Sequence, residues 1–76
     1  MARILIIDDE PAIRATLSSI LEDEGHTATA CESGEEGLAR FAREEFDLVL
    51  LDLWLPGIDG LAVLERLHAS GSPPVV

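Results

Sequence analysis

Aliphatic runs and helical repeats alternate along this chain. Arg3-Ile4-Leu5-Ile6-Ile7 and Phe46 to Leu51 are near-continuous hydrophobic runs, the pattern of strands buried on both faces. Thr27 to Ala30 is shorter and weaker and predicts an edge strand. Val75-Val76, after Pro73-Pro74, predicts the start of a further strand. Helical spacing fills the gaps. Pro11 opens the first helix, where its missing N–H costs nothing; Ile13, Leu17, Ile20 and Leu21 give it one apolar face, and Gly25 is its stop. Ser33, followed three residues later by Glu36, is a capping-box signature for the second helix. That helix is expected to carry Leu38, Phe41 and Ala42 inward, with a Glu36–Arg40 pair worth about 0.3–0.5 kcal/mol. Leu53 to Gly60 is a loop punctuated by Pro56, Gly57 and Gly60. The third helix is expected to place Leu61, Leu64 and Leu67 on one face with Val63 beside it, and to end at Gly71. Alternating strands and helices imply right-handed crossovers and a parallel sheet, hence an α/β domain.

The acids sit where such a sheet puts its chemistry. Asp8 and Asp9 close the first strand run and Asp52 closes the third. In a parallel sheet both runs end at one edge, and ligands bind outside the carboxyl ends of the strands. Three converging carboxylates repel each other and suit a hard divalent cation, Mg²⁺ best of all. With the repulsion screened, a strand-end carboxylate can attack phosphorus in line and become an acyl phosphate. Phosphoryl transfer needs positioning and charge neutralisation and little else.

Composition narrows the classes. With 76 residues there is room for one small domain, of the size that buries only about 60% of its unfolded surface. A net charge of −10 and the absence of any lysine argue against a nucleic-acid surface, which needs clustered cations. The single cysteine, Cys31, makes no internal disulfide and reads as a small packed side chain. No apolar run approaches the roughly 18 residues that span a bilayer, and no signal-peptide pattern opens the chain. A cytoplasmic protein without membrane contact is the expectation. His26 and His68 have no spaced Cys or His partner and read as surface residues. Asp59 reads as the cap of the third helix and Glu10 as a solvated acid.

Two motifs carry a resemblance: Ile4-Leu5-Ile6-Ile7-Asp8-Asp9-Glu10, and Asp52-Leu53-Trp54-Leu55-Pro56-Gly57-Ile58-Asp59-Gly60. Either is weak alone. Together, at this separation, the chain resembles the receiver domain of two-component response regulators. The wording around them, with Asp9-Glu10-Pro11-Ala12-Ile13-Arg14, is similar to the nitrogen-regulation class of σ54-dependent activators. The resemblance implies a flavodoxin-like fold with strand order 2-1-3-4, in which Asp52 is the phosphoacceptor for a sensor histidine kinase. It implies Mg²⁺ held by Asp9 directly, by Asp8 through water, by Asp52, and by the Trp54 backbone carbonyl, with Pro56 and Gly60 shaping the loop. The implied role is a phosphorylation-dependent switch for a C-terminal output domain, transcriptional in kind, rather than an enzyme with an external substrate.

The resemblance also implies more chain. A complete receiver has roughly 110–130 residues, so 1–76 reads as a truncated N-terminal part with the fifth strand and the last two helices missing. The hydroxyl residue expected after the fourth strand and the lysine expected after the fifth have no counterpart here. An open sheet edge would then favour a homodimer or a swapped oligomer. The alternatives are a receiver-like interaction module that works without phosphate, or an inactive fragment. A metal-dependent phosphohydrolase would carry a second acid two residues after its nucleophile, where this chain has Trp54. A flavin-binding protein would carry a Ser/Thr-rich phosphate loop after the first strand, which is absent.

Overall fold

The computed structural model describes residues 1–76 except Pro56, Ile58 and Ser72. Three strands and three helices alternate: β1 (Arg3–Ile7), α1 (Pro11–Asp23), β2 (Thr27–Cys31), α2 (Gly34–Arg43), β3 (Leu48–Leu51) and α3 (Gly60–Ala69). The sheet is parallel with order β2-β1-β3. Beyond β3, Val75 forms a parallel bridge with Val49, and the Leu51 N–H donates to Val76 O at 2.8 Å. The order 2-1-3-4 expected of the sequence is therefore present, with the last strand begun. β3 starts two residues later than the apolar run suggests, because Asp47 turns to cap the Arg3 N–H through Oδ2 at 2.8 Å.

The main core lies between the sheet and the α2/α3 layer. Leu5, Ile7, Val49 and Cys31 from the strands meet Val63 and Leu67 from α3, with Leu38 and Phe41 of α2 packed against them. Gly37 lets α2 come down onto Ile7, whose side chain occupies the space a Cβ would need. Ser33 caps α2 by accepting from the Glu36 N–H at 3.1 Å, and Asp59 caps α3 by accepting from the Ala62 N–H at 2.9 Å, both as expected. α1 ends in a Schellman turn: Gly25, at φ +87°, donates to Glu22 O, and the His26 N–H donates to Leu21 O.

Four local expectations are corrected. α1 turns Arg14, Leu17, Ser18 and Leu21 toward the sheet as its half-buried positions, and leaves Ile13 and Ile20 40% and 53% exposed. Its apolar stripe is thus rotated partly off the sheet. In α3 the buried positions are Gly60, Val63 and Leu67, while Leu61 is 59% exposed; Gly60 sets this rotation because it must face the strand end. Ala42 is exposed rather than inward. Arg40 pairs not with Glu36 but with Glu44, at 3.2 Å, a carboxylate that Arg3 also holds at 2.9 Å. Glu36 instead faces the Cys31 thiol.

Candidate acidic site at the carboxyl edge of the sheet

Register builds the site. Ile7, the last residue of β1, pairs with Leu51, the last of β3, and with Cys31, the last of β2. The next residues, Asp8 and Asp52, therefore leave the sheet level with each other. The ladder continues one step beyond the strands: the Asp8 N–H donates to Cys31 O at 3.0 Å and the Asp52 N–H to Ile7 O at 2.9 Å. One carboxylate oxygen from each of Asp8, Asp9 and Asp52 lies within 4.8 Å of the others.

Asp8 and Asp52 are held by the same device. Asp8 Oδ1 accepts from the Glu10 N–H at 2.9 Å, and Asp52 Oδ1 accepts from the Trp54 N–H at 2.9 Å. Each acid thus bonds the backbone two residues on, the Asx turn that fixes a tight exit from a strand. These acids are half-buried and Asp9 is exposed. The Asp8 carbonyl accepts from Arg14 Nη1 at 2.8 Å, a contact with no signal in the sequence pattern.

The loop after Asp52 is pinned at both ends. Leu55 is buried in the core, and the Gly60 N–H donates to Leu53 O at 3.3 Å. A Cβ at Gly60 would fall against Leu53 Cα and within 2.7 Å of Asp52 O, so only glycine lets α3 begin there. Gly57, at φ +73°, makes the intervening turn, a conformation that favours glycine. The Trp54 side chain is 89% exposed, while its backbone is tied to Asp52. The loop-shaping role expected of Pro56 lies outside the described residues.

The donor set suits Mg²⁺: three carboxylates, all oxygen, close enough to share one cation, two of them, Asp8 and Asp52, anchored by backbone N–H groups. Elsewhere, Cys31 is buried, and desolvation with the Glu36 carboxylate beside it pushes its thiol up to about 11. Its place as a packed side chain is as expected. His26 is not a plain surface residue; it is half-buried and its Nδ1 accepts from the Ala2 N–H at 3.0 Å.

A parallel βα sheet with acids converging at its carboxyl edge defines a class. The model of the response regulator receiver domain matches residues 4–76, and this chain belongs to that family. The transcriptional activator protein PfeR of Pseudomonas aeruginosa is 45% identical over 74 residues, covering 97% of this chain and 24% of PfeR. The response regulator TrrA of Thermotoga maritima, solved in complex with Mg(2+)-BeF, superposes with a TM-score of 0.88 at 44% identity over 92% of this chain and 61% of TrrA. TrrA in complex with the histidine kinase ThkA superposes at 0.91, with 41% identity over 99% of this chain and 66% of that one. NtrX of Brucella abortus, in complex with ADP, gives 0.88 at 40% identity over 97% of this chain and 18% of NtrX, in keeping with the resemblance to nitrogen-regulation activators. The chain spans about a quarter to a third of the length of curated relatives such as PfeR and RegX3 of Mycolicibacterium smegmatis.

Proposed function

We infer that this chain is the N-terminal part of a receiver that takes a phosphoryl group onto Asp52 from a sensor histidine kinase. The observation that carries the reading is the convergence of Asp8, Asp9 and Asp52 within 4.8 Å at the carboxyl edge of the sheet. Asp52 is the nucleophile. Its Oδ1 is engaged by the Trp54 N–H, which fixes the carboxylate plane and leaves the other oxygen to attack phosphorus in line. Asp9 and Asp8 hold Mg²⁺, with Asp52 and the Trp54 backbone carbonyl completing the protein donors. When bound, the cation neutralises the acids and the charge that develops on the transferring group.

The phosphorus–nitrogen bond of the kinase's phosphohistidine breaks as the bond from phosphorus to the Asp52 oxygen forms, and the product is an acyl phosphate that carries roughly −1.5 to −2 charges in place of the carboxylate's single one, with three acceptor oxygens at the sheet edge. That change of charge is the signal, and a C-terminal output domain of transcriptional type reads it in the cytoplasm. TrrA, solved with a histidine kinase and with Mg(2+)-BeF, supports the partner and the cation. PfeR, a transcriptional activator, supports the output.

Asp52→Asn tests the reading. The unsubstituted chain should gain a hydroxylamine-labile phosphoryl group from a small phosphodonor, as an acyl phosphate must, and Asp52→Asn should gain none. Equal labelling of the variant would move the acceptor elsewhere.

A further inference from the structure

Arg14 stands out among the residues that α1 turns toward the sheet. The half-buried positions of that helix are Arg14, Leu17, Ser18 and Leu21, and a guanidinium is costly there unless it is hydrogen-bonded. Among the described residues the ion pairs are Arg3–Glu44 and Arg40–Glu44, so Arg14 has no carboxylate partner at ion-pair distance. Its Nη1 donates instead to the backbone carbonyl of Asp8, at 2.8 Å. Arg14 is thus a cation bonded to the main chain between Asp8 and Asp9, two of the three acids.

That carbonyl is where the chain leaves β1. The Asp8 N–H is held by Cys31 O, and the Asp8 carboxylate is held by the Glu10 N–H. The carbonyl is held by Arg14. The N–H and side chain of Asp8 fix the residue, and the bond from Arg14 to its carbonyl restrains the peptide joining Asp8 to Asp9. Asp9 hangs from the next Cα, so the direction of its carboxylate follows from that peptide. Asp9 is itself exposed and has no hydrogen bond of its own to aim it among the described residues.

We propose that Arg14 is a positioning residue for the cation site, holding the Asp8–Asp9 peptide so that Asp9 stays in reach of Asp8 and Asp52. The inference rests on the Mg²⁺ site proposed above. A positive charge beside a cation site opposes cation binding, whereas a clamp on the ligand-bearing peptide favours it. The two roles therefore predict opposite signs when Arg14 is removed.

The test is Mg²⁺ affinity by titration calorimetry on the 76-residue chain, its Arg14→Gln variant and its Arg14→Lys variant, with melting temperatures measured without Mg²⁺. Positioning predicts a Kd raised about tenfold in Arg14→Gln, the low end for groups that orient metal ligands. Melting without Mg²⁺ should change little, and Arg14→Lys, whose ammonium still reaches a carbonyl, should recover most of the affinity. Either other result for Arg14→Gln would overturn the proposal: tighter binding would leave Arg14 acting through charge alone, and unchanged binding would leave it no part in the site. Loss of the fold in both variants would assign Arg14 to stability and overturn it equally. No binding by the unsubstituted chain would instead overturn the metal site itself, a result distinct from any ratio between variants.

Discussion

Cys31 shows what single residues contribute here. It closes β2, its carbonyl extends the ladder to Asp8, and its side chain is 1% exposed. Burial first, and then the Glu36 carboxylate, raise the thiol from 9.0 to about 11. The fold holds this proton more tightly than the unfolded chain does. The stability linked to it is therefore complete below pH 9 and is lost as pH rises through about 11. The chain has neither lysine nor tyrosine, so no other side chain titrates in that window. The melting temperature should fall between pH 9 and pH 11, and Cys31→Ala should remove the slope. A slope that persists in Cys31→Ala would contradict the assignment. The packed role of Cys31 was legible in the sequence as a lone apolar cysteine. The hydrogen bond from Ala2 to His26 was not, because its partners are brought together only by the pairing of β1 with β2.

At the scale of elements, strands were more legible than helix faces. A strand buried on both sides needs no choice of face, so β1 could be read from its apolar run alone, and β3 showed as a run too although only Val49 in it is fully buried. The convergence of Asp8 and Asp52 then followed from two runs that end in the same register. Helix rotation depends on what each helix meets. α1 presents Arg14 to the sheet at the expense of Ile13, and α3 presents Gly60 and Val63 at the expense of Leu61. The α3 case is testable. Gly60→Ala forces a Cβ against Leu53 Cα and Asp52 O, backbone atoms that cannot yield as a side-chain tip would. We expect a loss of about 1–3 kcal/mol, the usual cost of overpacking, read in denaturant melts, with weaker Mg²⁺ binding because Asp52 moves with its strand end. A Gly60→Ala protein as stable as the unsubstituted chain would contradict this close approach.

For the whole molecule, charge and topology act together. The net charge is −10, and the fold gathers three acids at one edge rather than dispersing them. Structures of receivers superpose on nearly the whole chain, while the chain accounts for 61% to 66% of theirs. Among the described residues no helix is long and apolar enough to cross a membrane. The order of the sheet, the family and the acidic edge were all readable from alternation and two motifs. The clamp at the Asp8 carbonyl was not, since an arginine one turn into an amphipathic helix ordinarily reads as solvated. The most direct measurement is the intact mass of the chain after incubation with acetyl phosphate, in Mg²⁺ and in EDTA. A single phosphoryl group should be gained in Mg²⁺ and none in EDTA. A gain that survives EDTA, or no gain in either, would contradict Mg²⁺-dependent phosphorylation of Asp52.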